Sequence, residues 1–202
     1  MSVTVAIRGA IRCSECMGPV PMNGIAPAVL CHHCQSTVDT RAALLYLNKL
    51  FVDFWGHPST WTQDQEGTSI DGMRFDAALR SPECNDCRTP FEPADVSAAL
   101  AAGTGVTCRR CASVAAARRT DPFAQSFVPG STVVVSEAIG TDLTAAAQPI
   151  LFACLECGGK LPVDGTKRVV TCTYCKSSSF IPDALWLRMH PAAKRRWFYV
   201  VM

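Results

Sequence analysis

All twelve cysteines of this 202-residue chain stand in C-x2-C pairs, and none is left over. The pairs are Cys13/Cys16, Cys31/Cys34, Cys84/Cys87, Cys108/Cys111, Cys154/Cys157 and Cys172/Cys175. A C-x2-C step lets one tight turn point two sulfurs at the same spot, so two such turns facing each other supply four thiolates at tetrahedral corners. In chain order the pairs close as three sequential sets of four, each a candidate structural zinc site with Zn–S distances of about 2.3 Å. A disulfide framework would suit an exported chain. Met1–Ala10, however, lacks a basic start, an adequate apolar core and a small-residue cleavage site. The reading is therefore a reducing, cytoplasmic setting and three Zn2+ per chain.

The stretch around Cys154–Cys175 states the module most fully. Fourteen residues separate its two cysteine pairs. Lys160–Val163 is predicted to run extended, Asp164-Gly165 to form a type I′ turn, and Lys167–Thr171 to return as the second arm of a hairpin. Residues 16–31 repeat this register: Gly18, Val20, Pro21 and Asn23-Gly24 match Gly159, Leu161, Pro162 and Asp164-Gly165. Equal arms favour sequential closure over a cross-braced arrangement. In the middle module twenty residues separate the pairs, and the surplus reads as a helix over Pro93–Ala101, with Asp95 as its cap and Gly103 and Gly105 ending it.

Between the modules the periodicity changes. Thr40 is placed to cap a helix from Arg41 to Trp55, whose apolar residues extend from Ala43, Leu44, Leu47, Leu50, Phe51 and Phe54 to Leu45, Tyr46 and Val52. So wide an apolar surface predicts burial on more than one side, which would make this helix the hub between modules. Trp61–Asp71 reads as a polar loop, Thr132–Val135 as a strand within a linker, Asp142–Ala147 as the start of a short helix, and Pro182–Met189 as another helix. The ending Trp197–Met202 reads as a strand that packs on the body or adds to another protein's sheet.

The expected fold is thus a small metal-stapled α+β chain: three four-cysteine zinc ribbons with hairpin knuckles, one long apolar helix and short helical segments. Its expected divisions are ribbon 1 (1–38), a helix and loop connector (39–72), ribbon 2 with a helical insertion (73–119), a linker (120–149), ribbon 3 (150–181) and a C-terminal helix and tail (182–202).

The modules resemble the zinc-ribbon superfamily. The first and third are similar to the ribbons of the plant lesion-simulating-disease zinc-finger proteins through Cys154-x2-Cys157, Leu161, Pro162, Gly165, Val170 and Cys172-x2-Cys175. The resemblance implies zinc and a role in protein or nucleic-acid contacts. Rubredoxin-like iron sites use the same paired ligands, so iron is the alternative metal.

Three functions are consistent with these residues. The first is a structural adaptor that mediates protein–protein contacts in a larger assembly, with Leu47, Phe51, Phe54, Trp55, Trp197 and Phe198 as candidate partner-binding residues. The second is a nucleic-acid binder using Arg109, Arg110, Arg118, Arg119, Lys194, Arg195 and Arg196. The third is a thiol redox switch. Twelve thiolates and three divalent ions would move the formal charge from +2 to about −4, which weakens a nucleic-acid reading based on net charge. Four cysteines close each site and leave no coordination position for catalysis, and no H-E-x-x-H, P-loop or G-x-S-x-G motif is present. Histidines 32 and 33 lie inside a knuckle whose four positions are already filled. No small-molecule substrate or membrane partner is expected, since no apolar run reaches the length of a membrane span.

Overall fold

The computed structural model describes residues 3–56, 65–70, 73–139, 150–189 and 194–202. Side chains within elements are described except at 53–56, 65–70, 150 and 187. Its organising element is an antiparallel eight-stranded sheet. Strand β1 (Thr4–Arg12) lies near the middle and has a divided edge. Its first half pairs with the last strand of the chain, β14 (Phe198–Val201), from Thr4↔Val201 to Ile7↔Phe198. Its second half pairs with β2 (Pro19–Met22), from Gly9↔Met22 to Arg12↔Pro19. On its other edge lies β6 (Met73–Leu79), followed by β5 (Gln65–Ile70). Beyond β14 come β9 (Val133–Glu137), β8 (Val114–Arg119) and β7 (Val106–Thr107). The sheet therefore draws strands from both outer ends of the chain, from the middle module and from the stretch expected to be a linker.

Side chains alternate across a strand, so a strand buried on both faces must be apolar throughout. This accounts for the run at the C-terminus. Phe198 and Val200 join Val5, Ile7, Ile11, Phe75 and Val134 on one face, while Trp197 and Tyr199 join Ala6 and Val135 on the other. The first face is covered by the knuckle pair β3 (Ala28–Leu30) and β4 (Thr37–Asp39), by helix α1 (Arg41–Gly56) and by α3 (Pro122–Phe127). The second is covered by the middle module with α2 (Pro93–Ala102). Gly9 is required where Phe75 crosses β1, since a Cβ there would lie 2.4 Å from the ring.

Several expectations are corrected. Helix α1 is not buried on more than one side: Ala43, Leu44, Leu47 and Phe51 are buried in the first core, whereas Leu45 and Val52 are exposed. One covered stripe suffices because the sheet is the hub, and the sheet was not foreseen. The Thr40 hydroxyl donates to the Ala26 carbonyl instead of capping α1, and Asp39 accepts the Arg41 N–H at 2.7 Å. Gln65–Ile70, read as polar loop, is strand β5. At α2 the cap position is Glu92, without a side-chain cap, and Asp95 instead pairs with Arg109. The expected helix over Asp142–Ala147 lies outside the described residues.

The hairpins also close differently from the expectation. In the third module β11 (Lys160–Val163) pairs with β10 (Ile150–Ala153), and β12 (Val169–Thr171) with β13 (Ser178–Phe180); β11 and β12 belong to separate two-stranded sheets. Each hairpin is thus folded around a cysteine knuckle. Asp164-Gly165 is not a type I′ turn, which needs positive φ at both central residues; only Gly165 has it. Instead the Asp164 carboxylate accepts from the N–H and hydroxyl of Thr166, a local Asx turn. This module has its own core, in which Phe152, Leu161, Val163 and Ile181 pack with Trp186 and Met189 of α4 (Asp183–Met189).

Candidate metal centres

Six knuckles are built on one hydrogen-bond plan. In each, the N–H of the first cysteine donates to the carbonyl five residues on, and the N–H four residues on donates back to that cysteine's carbonyl. In the first knuckle these are Cys13 to Gly18 at 2.9 Å and Met17 to Cys13 at 3.0 Å. The returning N–H belongs to Met17, Gln35, Arg88, Ala112, Gly158 or Lys176, and all six have φ between 59° and 71°. Five of these are not glycine, and left-handed backbone costs an L-residue about 1–2 kcal/mol. The chain retains that cost because the turn aims both sulfurs inward.

The result is three clusters of four sulfurs, each within 4.8 Å of one another, in the expected sequential sets. In the first, Cys13–Cys34 and Cys16–Cys31 are each 3.6 Å apart. In the second, Cys84–Cys111 is 3.6 Å and Cys87–Cys108 is 3.5 Å. In the third, Cys154–Cys175 is 3.6 Å and Cys157–Cys172 is 3.7 Å. A disulfide would bring sulfurs to about 2.05 Å, and all twelve cysteines are free. Four sulfurs around a tetrahedral ion at about 2.3 Å lie about 3.8 Å apart. The clusters therefore fit a tetrahedral thiolate-bound ion, zinc or iron.

A hydroxyl supports each cluster, and the pattern is a C-x-S step absent from the expectations above. Ser36 lies 3.3 Å from Cys13 Sγ and 3.0 Å from Cys34 Sγ. Ser113 is 3.1 Å from both Cys84 and Cys111. Ser177 is 3.4 Å from Cys154 and 2.9 Å from Cys175. A thiolate can only accept, so each serine can donate to either sulfur of a diagonal pair. The signal was legible in the sequence, because Ser36, Ser113 and Ser177 all stand two residues after the last cysteine of their set.

The same contacts set the electrostatics. The Ser177 hydroxyl and then backbone N–H groups lower Cys154 to about 5. The Thr89 hydroxyl and N–H lower Cys87 to about 6. Burial pushes Cys31 up to about 12. Cys157, despite a favourable bond at Gly159, is pushed up to about 12 with Cys175 as the first opposing group. One thiolate in a cluster thus opposes the next, and four coexist only around a cation. Exposure differs among the centres: Cys157 and Cys175 of the third are exposed and so is Cys111 of the second, whereas all four ligands of the first are buried or half-buried.

The other candidate residues are placed as follows. Leu47 and Phe51 are buried in the first core, Phe198 is fully buried there, and Trp197 is buried in the second. These four therefore pack inside the chain instead of facing a partner. The side chains of Phe54 and Trp55 lie outside the described residues. Arg109 pairs with Asp95 at 2.7 Å, and Arg118 with Glu137 at 2.5 Å and Asp121 at 3.1 Å. Arg110, Arg119 and Lys194 are exposed. Arg195 reaches buried Asp76 at 3.4 Å, which also accepts from Arg8 at 2.8 Å, and the Arg196 backbone is held by Asn23. The arginine runs are thereby partly neutralised by acids that are distant in sequence. His33 offers its carbonyl to the Trp186 indole N–H, which ties α4 to the first module.

No protein-family profile matches the chain, and comparison with curated proteins and with solved structures finds no match. Among the described residues, no helix is long and apolar enough to cross a membrane.

Proposed function

We propose that this is a zinc-binding structural protein whose metal centres brace an adaptor for protein–protein contacts. The observation that carries the metal reading is the recurrence of four sulfurs at near-tetrahedral spacing in all three modules. Each set would hold one Zn2+, with Ser36, Ser113 and Ser177 as outer partners that orient the ligands. Bound zinc supplies cross-linking here, not catalysis, because four protein ligands leave no open position. The protein is inferred to be non-enzymatic on that ground.

The adaptor role is supported by the asymmetry of the modules. Two are fused to opposite faces of the central sheet. The third keeps a separate core and leaves Leu151, Leu155, Val169, Tyr174 and Phe180 between 52% and 75% exposed. Apolar groups collected on one small module mark an interaction surface more than a solvated one. The pairing of Arg109 and Arg118 with carboxylates speaks against nucleic acid as the main partner. The test is native mass spectrometry for metal content, followed by affinity capture with the full chain and a Leu155→Ser/Tyr174→Ser variant. Three zinc ions and partners lost in the variant are expected. Fewer than three ions would overturn the metal reading, and capture of nucleic acid alone would overturn the adaptor reading.

A further inference from the structure

The middle module packs on the second sheet face at Ala6, Val135, Trp197 and Tyr199. Beyond Ala6, toward the far end of β1 and the neighbouring β6, the same face turns from apolar to cationic. Side chains two apart on a strand share a face, so Arg8 and Arg12 follow Ala6 along β1. On β6, Ala78 stands opposite Ala6, Asp76 opposite Arg8 and Arg74 opposite Ala10, which puts Arg74 on that face as well. The odd-numbered residues of both strands, among them Ile7, Ile11 and Phe75, point the other way into the first core. Arg80, just past β6, and Arg195, two residues before Trp197, complete the group.

Three of these arginines are fixed in place. The buried Asp76 carboxylate accepts from Arg8 at 2.8 and 3.0 Å and from Arg195 at 3.4 Å. The guanidiniums of Arg8 and Arg80 lie 4.7 Å and 4.6 Å from the centre of the Trp197 ring. Arg80 also reaches Glu83 at 3.8 Å, which Arg88 approaches to 2.8 Å. Held in this way, Arg8, Arg80 and Arg195 still keep 26%, 33% and 29% of their side chains in water, and Arg12 and Arg74 are exposed. A merely solvated surface mixes charges of both signs. Here, among the described residues, five arginines share the carboxylates of Asp76 and Glu83, and Glu83 is also claimed by Arg88, so the excess on this face is positive.

We infer that this arginine face binds an acidic segment of a partner protein, held in extended form. Guanidinium forks match carboxylates bidentately, and arginine clusters are a recurrent means of holding acidic motifs. Residues two apart on a strand are separated by about 6.7 Å, the same repeat that separates alternate side chains of an extended peptide. Acids at every second position of such a segment therefore share the period of Arg8 and Arg12 on β1. Nucleic acid suits the face less well. Trp197 is 6% exposed and its ring lies against two guanidiniums, so it offers no platform for bases. The carboxylates of Asp76 and Glu83 also oppose a continuous phosphate backbone, whose binding draws on unopposed positive charge. The assignment rests on the adaptor reading above and names the chemistry of its partner. It uses a surface distinct from the apolar face of the third module.

The experiment is fluorescence anisotropy on the metal-loaded full chain with a labelled peptide of alternating glutamate and serine, and in parallel with a single-stranded DNA of equal charge. The expected result is micromolar binding of the peptide at low salt, weakened at least about tenfold by Arg12→Glu/Arg74→Glu and unaffected by Leu155→Ser/Tyr174→Ser. Amide resonances of residues 8–12 and 74–76 should shift on binding. Both substituted arginines are exposed, so the variants should keep native melting temperature and metal content, and these are checked alongside. Arg12→Gln/Arg74→Gln, which removes charge without reversing it, should give a smaller loss and carries the test if the reversed pair misfolds. Absence of peptide binding, or binding that the Arg12/Arg74 variants leave intact, overturns the inference. So does DNA binding that is tighter than peptide binding and lost in the same variants, which would give the face to nucleic acid. Partners captured through Leu155 and Tyr174 while the acidic peptide fails to bind would leave the adaptor reading standing and remove only this assignment.

Discussion

The carboxamide of Asn85 forms both hydrogen bonds of a strand partner with Trp197: it accepts the Trp197 N–H at 3.1 Å and donates to the Trp197 carbonyl at 2.9 Å. Asn23 does the same work one step earlier, donating to the Lys194 carbonyl at 3.0 Å and accepting the Arg196 N–H at 2.8 Å. One asparagine comes from a knuckle of the middle module and the other from the first module. Together they guide the chain into the gap between β1 and β9.

Removing this guide should be felt by the whole sheet. Asn85→Ala leaves two backbone groups of a buried residue without partners, and such groups cost about 1–3 kcal/mol. Urea unfolding should show a loss of that size with an unchanged denaturant slope. An unchanged midpoint would mean that water replaces the carboxamide freely.

The C-terminal strand should behave as core. Phe198→Ala removes a fully buried ring between β1 and β9 and should cost about 3–5 kcal/mol. Calorimetry that found native stability would return the segment to the status of a dispensable tail.

Loss of metal should be graded by exposure and limited by core boundaries. The third centre, with Cys157 and Cys175 exposed, should surrender its ion to a chelator first. Cys172→Ser should then unfold residues 150–189, whose core is separate, and leave amide resonances of the central sheet in place. Cys31→Ser should instead disturb the sheet, because Cys31 is packed in the first core beside β1. Collapse of the whole spectrum in Cys172→Ser would show that the modules are not independent.

The serines two residues past each set should tune affinity. Ser177→Ala withdraws a donor from Cys154 and Cys175, and outer hydrogen bonds of this kind are worth about 10–100-fold in metal affinity. Competition with a chromophoric chelator measures this directly. No change in affinity would reduce the serine to a turn residue.

Tyr199 offers a pH test whose sign is fixed by burial. Its phenol is fully buried and held well above the usual range, chiefly by desolvation. The unfolded chain ionises it near pH 10, so stability is complete below that value and falls as pH rises above it. Tyr199→Phe should remove this part of the alkaline loss while leaving stability near neutral pH little changed. Parallel melts at neutral and alkaline pH that fall equally in both proteins would assign the loss to other groups.

What the sequence by itself determined is local. A C-x2-C step dictates its own turn, so six knuckles, their ligands and their sequential grouping could be read from spacing alone, as could α2, α4 and the strand at Thr132–Val135. The serine supports were equally local and equally legible. The tertiary structure decided which strands pair with which. Pairing joins residues far apart in sequence, as Thr4↔Val201 does, and strand periodicity carries no address for its partner. The apolar run at Trp197–Val201 could be read as packing on the body or as adding to another protein's sheet, because one strand cannot announce what will cover both of its faces. Only the assembled sheet, with a module on each face, supplied the apolar neighbours that bury it.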